Sequence, residues 1–263
     1  STHCISSAAS DVYKRQRLQW HSGKQVIRMP RKKILFVIVE GPSDDAALSV
    51  LLSRFFDSNV VHVHVMHCDI TTELGVTPNN IVRTIGDCVK KFAGRLYKSG
   101  DFCQIIHIVD MDGAFIPNNA VVEDASAAKP IYSITEIRTR QKSGIENRNL
   151  RKRENLNRLL STPEIWKIPY RVYYMSCNLD HALYGKLNST DEEKENDAFF
   201  FAKTYMSDIP GFIQFISESD FSVTNSYQQS WQYIREDLHS LERHTNLGLC
   251  FKTEGSDTEA TPT

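Results

Sequence analysis

No apolar run in this 263-residue chain approaches the roughly 18 residues that a membrane-spanning helix needs, so a soluble protein is expected. Close cysteine pairing is lacking too. The six cysteines (Cys4, Cys68, Cys88, Cys103, Cys177, Cys250) show no CxxC spacing, and four lie inside apolar or helical patterns. That scatter speaks against a zinc site or a disulfide framework and for reduced thiols in a cytoplasmic protein. A large excess of one charge is also absent, the formal net charge being -1. Residues 1–32 hold seven basic groups and one acidic, and residues 251–263 one basic and three acidic, which leaves residues 33–250 at -5. A mildly acidic body does not advertise nucleic-acid binding, so any such surface must be local. There is no internal repeat.

The first residues differ from the rest. Ser6 to Gln16, SSAASDVYKRQ, has no apolar period and no helix-cap pattern. It reads as the letter-for-letter translation of a transposase adapter used in short-read DNA library preparation. It has no apolar core of a signal peptide either. Met29 is the expected natural start, with 1–28 foreign to the fold. The expected organisation is then an α/β core over 29–135, a basic segment with a further strand and a helical elaboration over 136–252, and a disordered polar tail over 253–263.

Within the core, Lys33–Val39 is a continuous apolar strand of the kind found in a parallel sheet covered on both faces. Ser43 is a candidate N-cap for a following helix. Val60–His67 alternates as a second strand, and Pro78 opens a helix with Ile81, Ile85, Val89, Phe92 and Leu96 on one stripe, closed by Gly100. Gln104–Val109 is a third strand. This β-α-β-α-β order predicts a parallel, right-handed α/β sheet. Further on, the spacing predicts a strand at 131–138, a basic helix over 146–160, a strand over 170–176, and helices over 179–187, 192–205 and 230–242.

Two of these strands end in acid. The first runs into Glu40-Gly41-Pro42-Ser43-Asp44-Asp45, and the third into Asp110-Met111-Asp112-Gly113. A turn needs the glycine and proline but not so many carboxylates. Ligands of open α/β sheets bind at the carboxyl ends of the strands. If the two strands are neighbours, and if the chain stays extended through Asp112, then Glu40, Asp110 and Asp112 converge on one crevice. Carboxylates so crowded repel one another unless a cation sits among them, and oxygen ligands suit Mg2+ or Mn2+. The plain alternative is a pair of charged strand-end turns.

The Glu-Gly turn paired with the Asp-x-Asp resembles the topoisomerase–primase (TOPRIM) domain over about residues 33–135. The resemblance implies a Rossmann-like parallel sheet flanked by helices, with a mostly helical C-terminal elaboration. It implies Glu40 as metal ligand or acid–base group, Asp110 and Asp112 as holders of Mg2+ or Mn2+, and Asp44 as a further ligand. The chain length suits a stand-alone module like the small ribosomal-RNA maturases or the nuclease modules of phage-defence proteins. The implied function is a metal-dependent phosphodiesterase acting on DNA or RNA. The alternative is a non-catalytic nucleic-acid- or nucleotide-binding protein of a defence system, with a partner protein or as a homodimer.

Some such modules carry another acid after a later strand, here Asp180 within SCNLDHAL, beside Asn178 and His181. Asp180 is equally a first-turn helix acid, and His181 a structural histidine. Between Arg138 and Arg158 lie eight basic residues, of which Arg148, Arg151, Lys152 and Arg153 are the candidate phosphate contacts. A solvated helix face is the alternative there. His62 and His64, with valines opposite, suit an exposed or edge position better than a metal site. A chain beginning at Met29 is expected to melt at the temperature of the full chain, followed by circular dichroism. A loss of several degrees would show that residues 1–28 contribute to the fold.

Overall fold

A computed structural model describes residues 32–56 and 60–252. The expectations for residues 1–28 and 253–263 lie outside the described residues. Strand β1 (Lys33–Val39) is buried from Ile34 onward and leads into helix α1 (Pro42–Phe55). Strand β2 (Val61–His67), helix α2 (Ile81–Ala93) and strand β3 (Phe102–Asp110) complete the predicted alternation. A small sheet follows, built from β4 (Val121–Glu123), β5 (Ile131–Tyr132) and β6 (Ile137–Thr139). Then come the long helix α3 (Lys142–Leu160), β7 (Glu164–Ile165) and β8 (Ile168–Ser176). Helices α4 (Leu179–Tyr184), α5 (Asp191–Tyr205), α6 (Ile209–Glu218) and α7 (Tyr227–Tyr233) lead to the short β9 (His244–Thr245).

The fold is α/β, with a mostly parallel sheet flanked by helices. In the main sheet the order is β2-β1-β3-β8, all parallel, with β7 and β9 antiparallel on the outer side of β8. Because β1 is central, the chain leaves it to one side for β2 and returns past it for β3. The connecting helices diverge accordingly. Leu48, Leu51 and Leu52 of α1 pack with Leu35 and Val37 on one face, while Ile81, Ile85 and Val89 of α2 pack with Phe36 and Ile38 on the other. In open α/β sheets such a reversal is where ligands bind, which here is the carboxyl ends of β1 and β3. The stretch on either side of residue 135 shares this sheet: β8 pairs along β3 and Leu156 and Leu159 of α3 join the α2 face, so no domain boundary falls there.

Several boundaries shift for local reasons. Gly41, in extended backbone, is the N-cap of α1 in place of Ser43, and Pro42 takes the first helical position where its missing N–H costs nothing. Helix α2 begins after Pro78, at Ile81, and ends at Ala93 with Gly94 at φ 53° as its C-cap, well before Gly100. The long helix predicted over 230–242 is the shorter α7, followed by turns. Helix α6 was not foreseen. The edge position of β2 agrees with the histidine pattern: His62 is exposed, while His64 stacks on Phe92 at 3.8 Å and burial lowers its pKa to about 4. Cys68, Cys88, Cys103, Cys177 and Cys250 are free thiols. Among the described residues no helix is long and apolar enough to cross a membrane.

The turn after β3 is not extended. Asp112 has φ 49° and Gly113 φ 70°, both left-handed. A side chain at Gly113 would meet Leu241 Cδ2 at 2.8 Å and Ile137 Cδ1 at 3.0 Å. Gly113→Ala should therefore cost about 1–3 kcal/mol from backbone strain and crowding, read from urea unfolding. A cost below a few tenths would mean that this turn is free to rearrange.

Candidate functional site

Glu40 follows the last residue of β1, and Asp110 is the last residue of β3. Since β1 and β3 are hydrogen-bonded neighbours, the two acids flank one crevice. Asp112 joins them by another route than strand alternation. The chain turns left-handed at Asp112, whose N–H donates to the Cys177 carbonyl at 2.6 Å, so the tip of β8 holds the turn. Asp44 lies in the first turn of α1, buried, with Oδ2 accepting the Gly41 N–H at 2.9 Å. One carboxylate of the EGPSDD run is thus a helix cap.

Lys152 stands between Glu40 and Asp112. Its Nζ lies 2.6 Å from Asp112 Oδ2 and 3.2 Å from Glu40 Oε1, and its side chain is 0 % exposed. This corrects the reading of Lys152 as a surface phosphate contact. On α3 the buried positions are Ile145, Asn149, Lys152, Asn155, Leu156 and Leu159, one helical stripe whose middle is polar. Polar residues in the core phase of a helix are the sequence signal that was missed.

The neighbours of Lys152 on α3 bind the loops around it. Arg148 donates to the Asp112 carbonyl at 2.6 Å and to the Tyr132 hydroxyl, while Asn149 Nδ2 donates to the Gly113 carbonyl at 3.1 Å. One turn on, Arg151 donates to the Thr72 carbonyl at 2.9 Å, and Asn155 Nδ2 to the Thr71 carbonyl at 2.9 Å. Arg148 and Arg151 thus each commit donors to a backbone carbonyl. Arg153 alone of the four has no hydrogen bond or ion pair among the described residues. The Thr71 hydroxyl lies 3.4 Å from Glu40 Oε1 and 3.2 Å from Asp69 Oδ1, and its single proton serves one at a time.

The far side of the crevice belongs to α4 and α5. Asn178 caps α4, its Oδ1 accepting the His181 N–H at 2.9 Å, and the Leu179 N–H donates to Asp110 Oδ1 at 3.0 Å. His181 Nδ1 accepts the Cys177 N–H at 3.1 Å, a structural role. Asp180 is 4 % exposed; Lys194 of α5 lies 3.3 Å from its Oδ2, while its Oδ1 is buried without a hydrogen-bond partner.

Charge divides these acids. Burial pushes Glu40 up to about 8, against the pull of Lys152. Burial, then the Glu40, Asp44 and Asp112 carboxylates, hold Asp110 well above the usual range. Burial likewise raises Asp44 to about 6. Asp112 is half-buried, which would raise its pKa, but Lys152 and then Arg148 outweigh that and keep it below its ordinary value. The same carboxylates, Asp112 first, keep Lys152 charged despite its burial. Asp112 therefore has its cation built in. Three acids (Glu40, Asp44, Asp110) remain short of positive charge.

Among the described residues no three His, Cys, Asp or Glu side chains already stand in a ligating arrangement. The donor chemistry nevertheless suits a hard divalent cation: carboxylate oxygens deficient in positive charge, and an orphaned Asp180 oxygen. Compared with protein-family models, curated proteins and solved structures, the chain finds no match.

A carboxyl that is neutral when folded but ionised when unfolded binds more protons in the folded state. For Glu40 this window runs from its ordinary 4.5 to about 8. Its contribution is greatest below 4.5 and is lost as pH rises through about 8. Stability measured by urea unfolding should therefore fall between these limits in the metal-free protein. In Glu40→Gln that decline should be shallower. An unchanged slope would place the Glu40 proton elsewhere.

Proposed function

We propose that the crevice hydrolyses phosphodiester bonds in DNA or RNA with the help of Mg2+ or Mn2+. The observation that carries this reading is the gathering of Glu40, Asp44 and Asp110 at the carboxyl ends of neighbouring parallel strands, all held above the ordinary carboxylate range. The resemblance of the Glu-Gly and Asp-x-Asp turns to the TOPRIM domain points the same way. Asp110 and Asp44 would hold the cation, with Asp180 as a further oxygen donor and Glu40 left beside Lys152. Such an ion supplies Lewis-acid polarisation of a phosphoryl oxygen and lowers the pKa of water.

The protein's own groups have separate tasks. Lys152 fixes Asp112 and, with Arg148 and Asn149, holds the left-handed turn that presents it. Glu40, poised near neutrality, can accept or return a proton in the range where a general acid–base group is most effective. Arg140 and Arg158, exposed on the same stretch as Arg153, offer charge for backbone phosphates.

One observation favours a second reading. Lys152 already bridges Glu40 and Asp112, as expected if the crevice were a permanent ion-pair network in a protein that binds nucleic acid or nucleotide without cutting it. Purified protein incubated with Mg2+ or Mn2+ against plasmid, single-stranded DNA and structured RNA separates the two. Cleavage is expected in the wild type and should be lost in Asp110→Asn, with the fold retained by circular dichroism. Salt-dependent binding without cleavage under either metal would favour the binding protein.

A further inference from the structure

Two ammonium groups serve the acidic crevice, and they are held differently. Lys152 is wholly buried and fixed by contacts to both Asp112 and Glu40. Lys194, on the outer helix α5, makes one ion pair, 3.3 Å to Asp180 Oδ2, and its side chain remains 35 % exposed. Its charge is shared beyond that contact, since Asp180 first, then Asp110 and Asp44, stabilise the ammonium. Asp180 is in turn tied to Asp110 by geometry, since the N–H of its chain neighbour Leu179 donates to Asp110 Oδ1 at 3.0 Å. The site around it is also unsatisfied: Asp180 Oδ1 and the Tyr184 hydroxyl are both buried without a hydrogen-bond partner. Asp180 and Asp44 are among the charges that act on that hydroxyl.

We infer that Lys194 is a displaceable counter-ion, its ammonium balancing Asp44, Asp110 and Asp180 until a divalent cation enters and it withdraws to solvent. This rests on the metal-dependent reading above and adds to it the side of entry and a competitor. The asymmetry of the two lysines decides the side. Expelling Lys152 would force a fully buried charge through the packed face of α3 and strand Asp112 without its partner. Lys194 has a stem that already reaches water, 35 % of its side chain being exposed, so it can withdraw without crossing the core once the entering cation takes over the buried Asp180 carboxylate. The cation therefore meets Asp180, Asp44 and Asp110, while Glu40 and Asp112 keep Lys152. Affinity for the ion is then set by competition with a side chain on α5, and whatever draws Lys194 outward loads the site.

Mn2+ binding to the purified full chain, followed by the paramagnetic resonance signal of the free ion, tests this without reference to activity. Lys194→Gln should bind Mn2+ several-fold tighter than the wild type, and Lys194→Arg, which restores the charge, should return towards the wild-type affinity. Asp180→Asn should weaken binding, whereas Asp112→Asn should weaken it far less. Far-UV circular dichroism on each variant establishes that the fold is intact. Wild-type affinity unchanged in Lys194→Gln, or binding lost in Asp112→Asn and kept in Asp180→Asn, would overturn the inference and leave the metal-dependent reading standing. No Mn2+ binding by any form would overturn that reading, and the inference with it.

Discussion

The crevice depends on a single buried ammonium. Lys152 reaches from the middle of α3 to the gap between Glu40 and Asp112, and without it two acids from different strands would face one another in a poorly solvated space. Removing one partner from such a buried pair costs about 3–5 kcal/mol, because the charge left behind has no water to turn to. Replacing the whole group by apolar residues is often neutral or better, so a buried ion pair of this kind is weak evidence for a purely stabilising role. What it provides is a fixed place for Asp112 at the tip of a left-handed turn. The remaining acids, Asp110 above all, are left with charge to be satisfied by protons or by another cation.

The scaffold beneath was legible because its signals are local. Lys33–Val39 and the run ending at Asp110 are apolar throughout, and such runs are found where both faces of a parallel strand are covered. The meeting of Glu40 and Asp110 followed from one assumption, that these strands are neighbours, and their register bears it out. Asp112 came to the same crevice for a different reason than the one expected. Strand alternation cannot foresee a φ of 49°, whereas the glycine that follows it, packed against Leu241 and Ile137, is its trace in the sequence.

On the basic helix the misreading was Lys152. Net charge along a segment says nothing about which face its members occupy. Arg148, Arg151 and Lys152 look like one cluster when counted, but Lys152 falls in phase with Ile145, Leu156 and Leu159 in the interior, while Arg148 and Arg151 are half-buried. Asn149 and Asn155, on the same stripe, carry no charge and drew no notice, yet each closes a hydrogen bond to a loop carbonyl. Lys194 escaped for the opposite reason. It sits among the acids of a well-capped surface helix, where a lysine is ordinary, and only the tertiary position of Asp180 gives it meaning.

The polar stripe of α3 also joins two loops that share no direct sequence relation. Arg151 and Asn155 hold the carbonyls of Thr71 and Thr72 after β2, and Arg148 and Asn149 hold those of Asp112 and Gly113 after β3. The helix acts as a yoke, tying both walls of the crevice to one element. Hydrogen exchange at the two loops should then share a single opening event with the helix itself, since local opening proceeds in cooperative units set by such ties. A substitution near Thr71 would be felt at Asp112 through α3, although no side chain need pass between them.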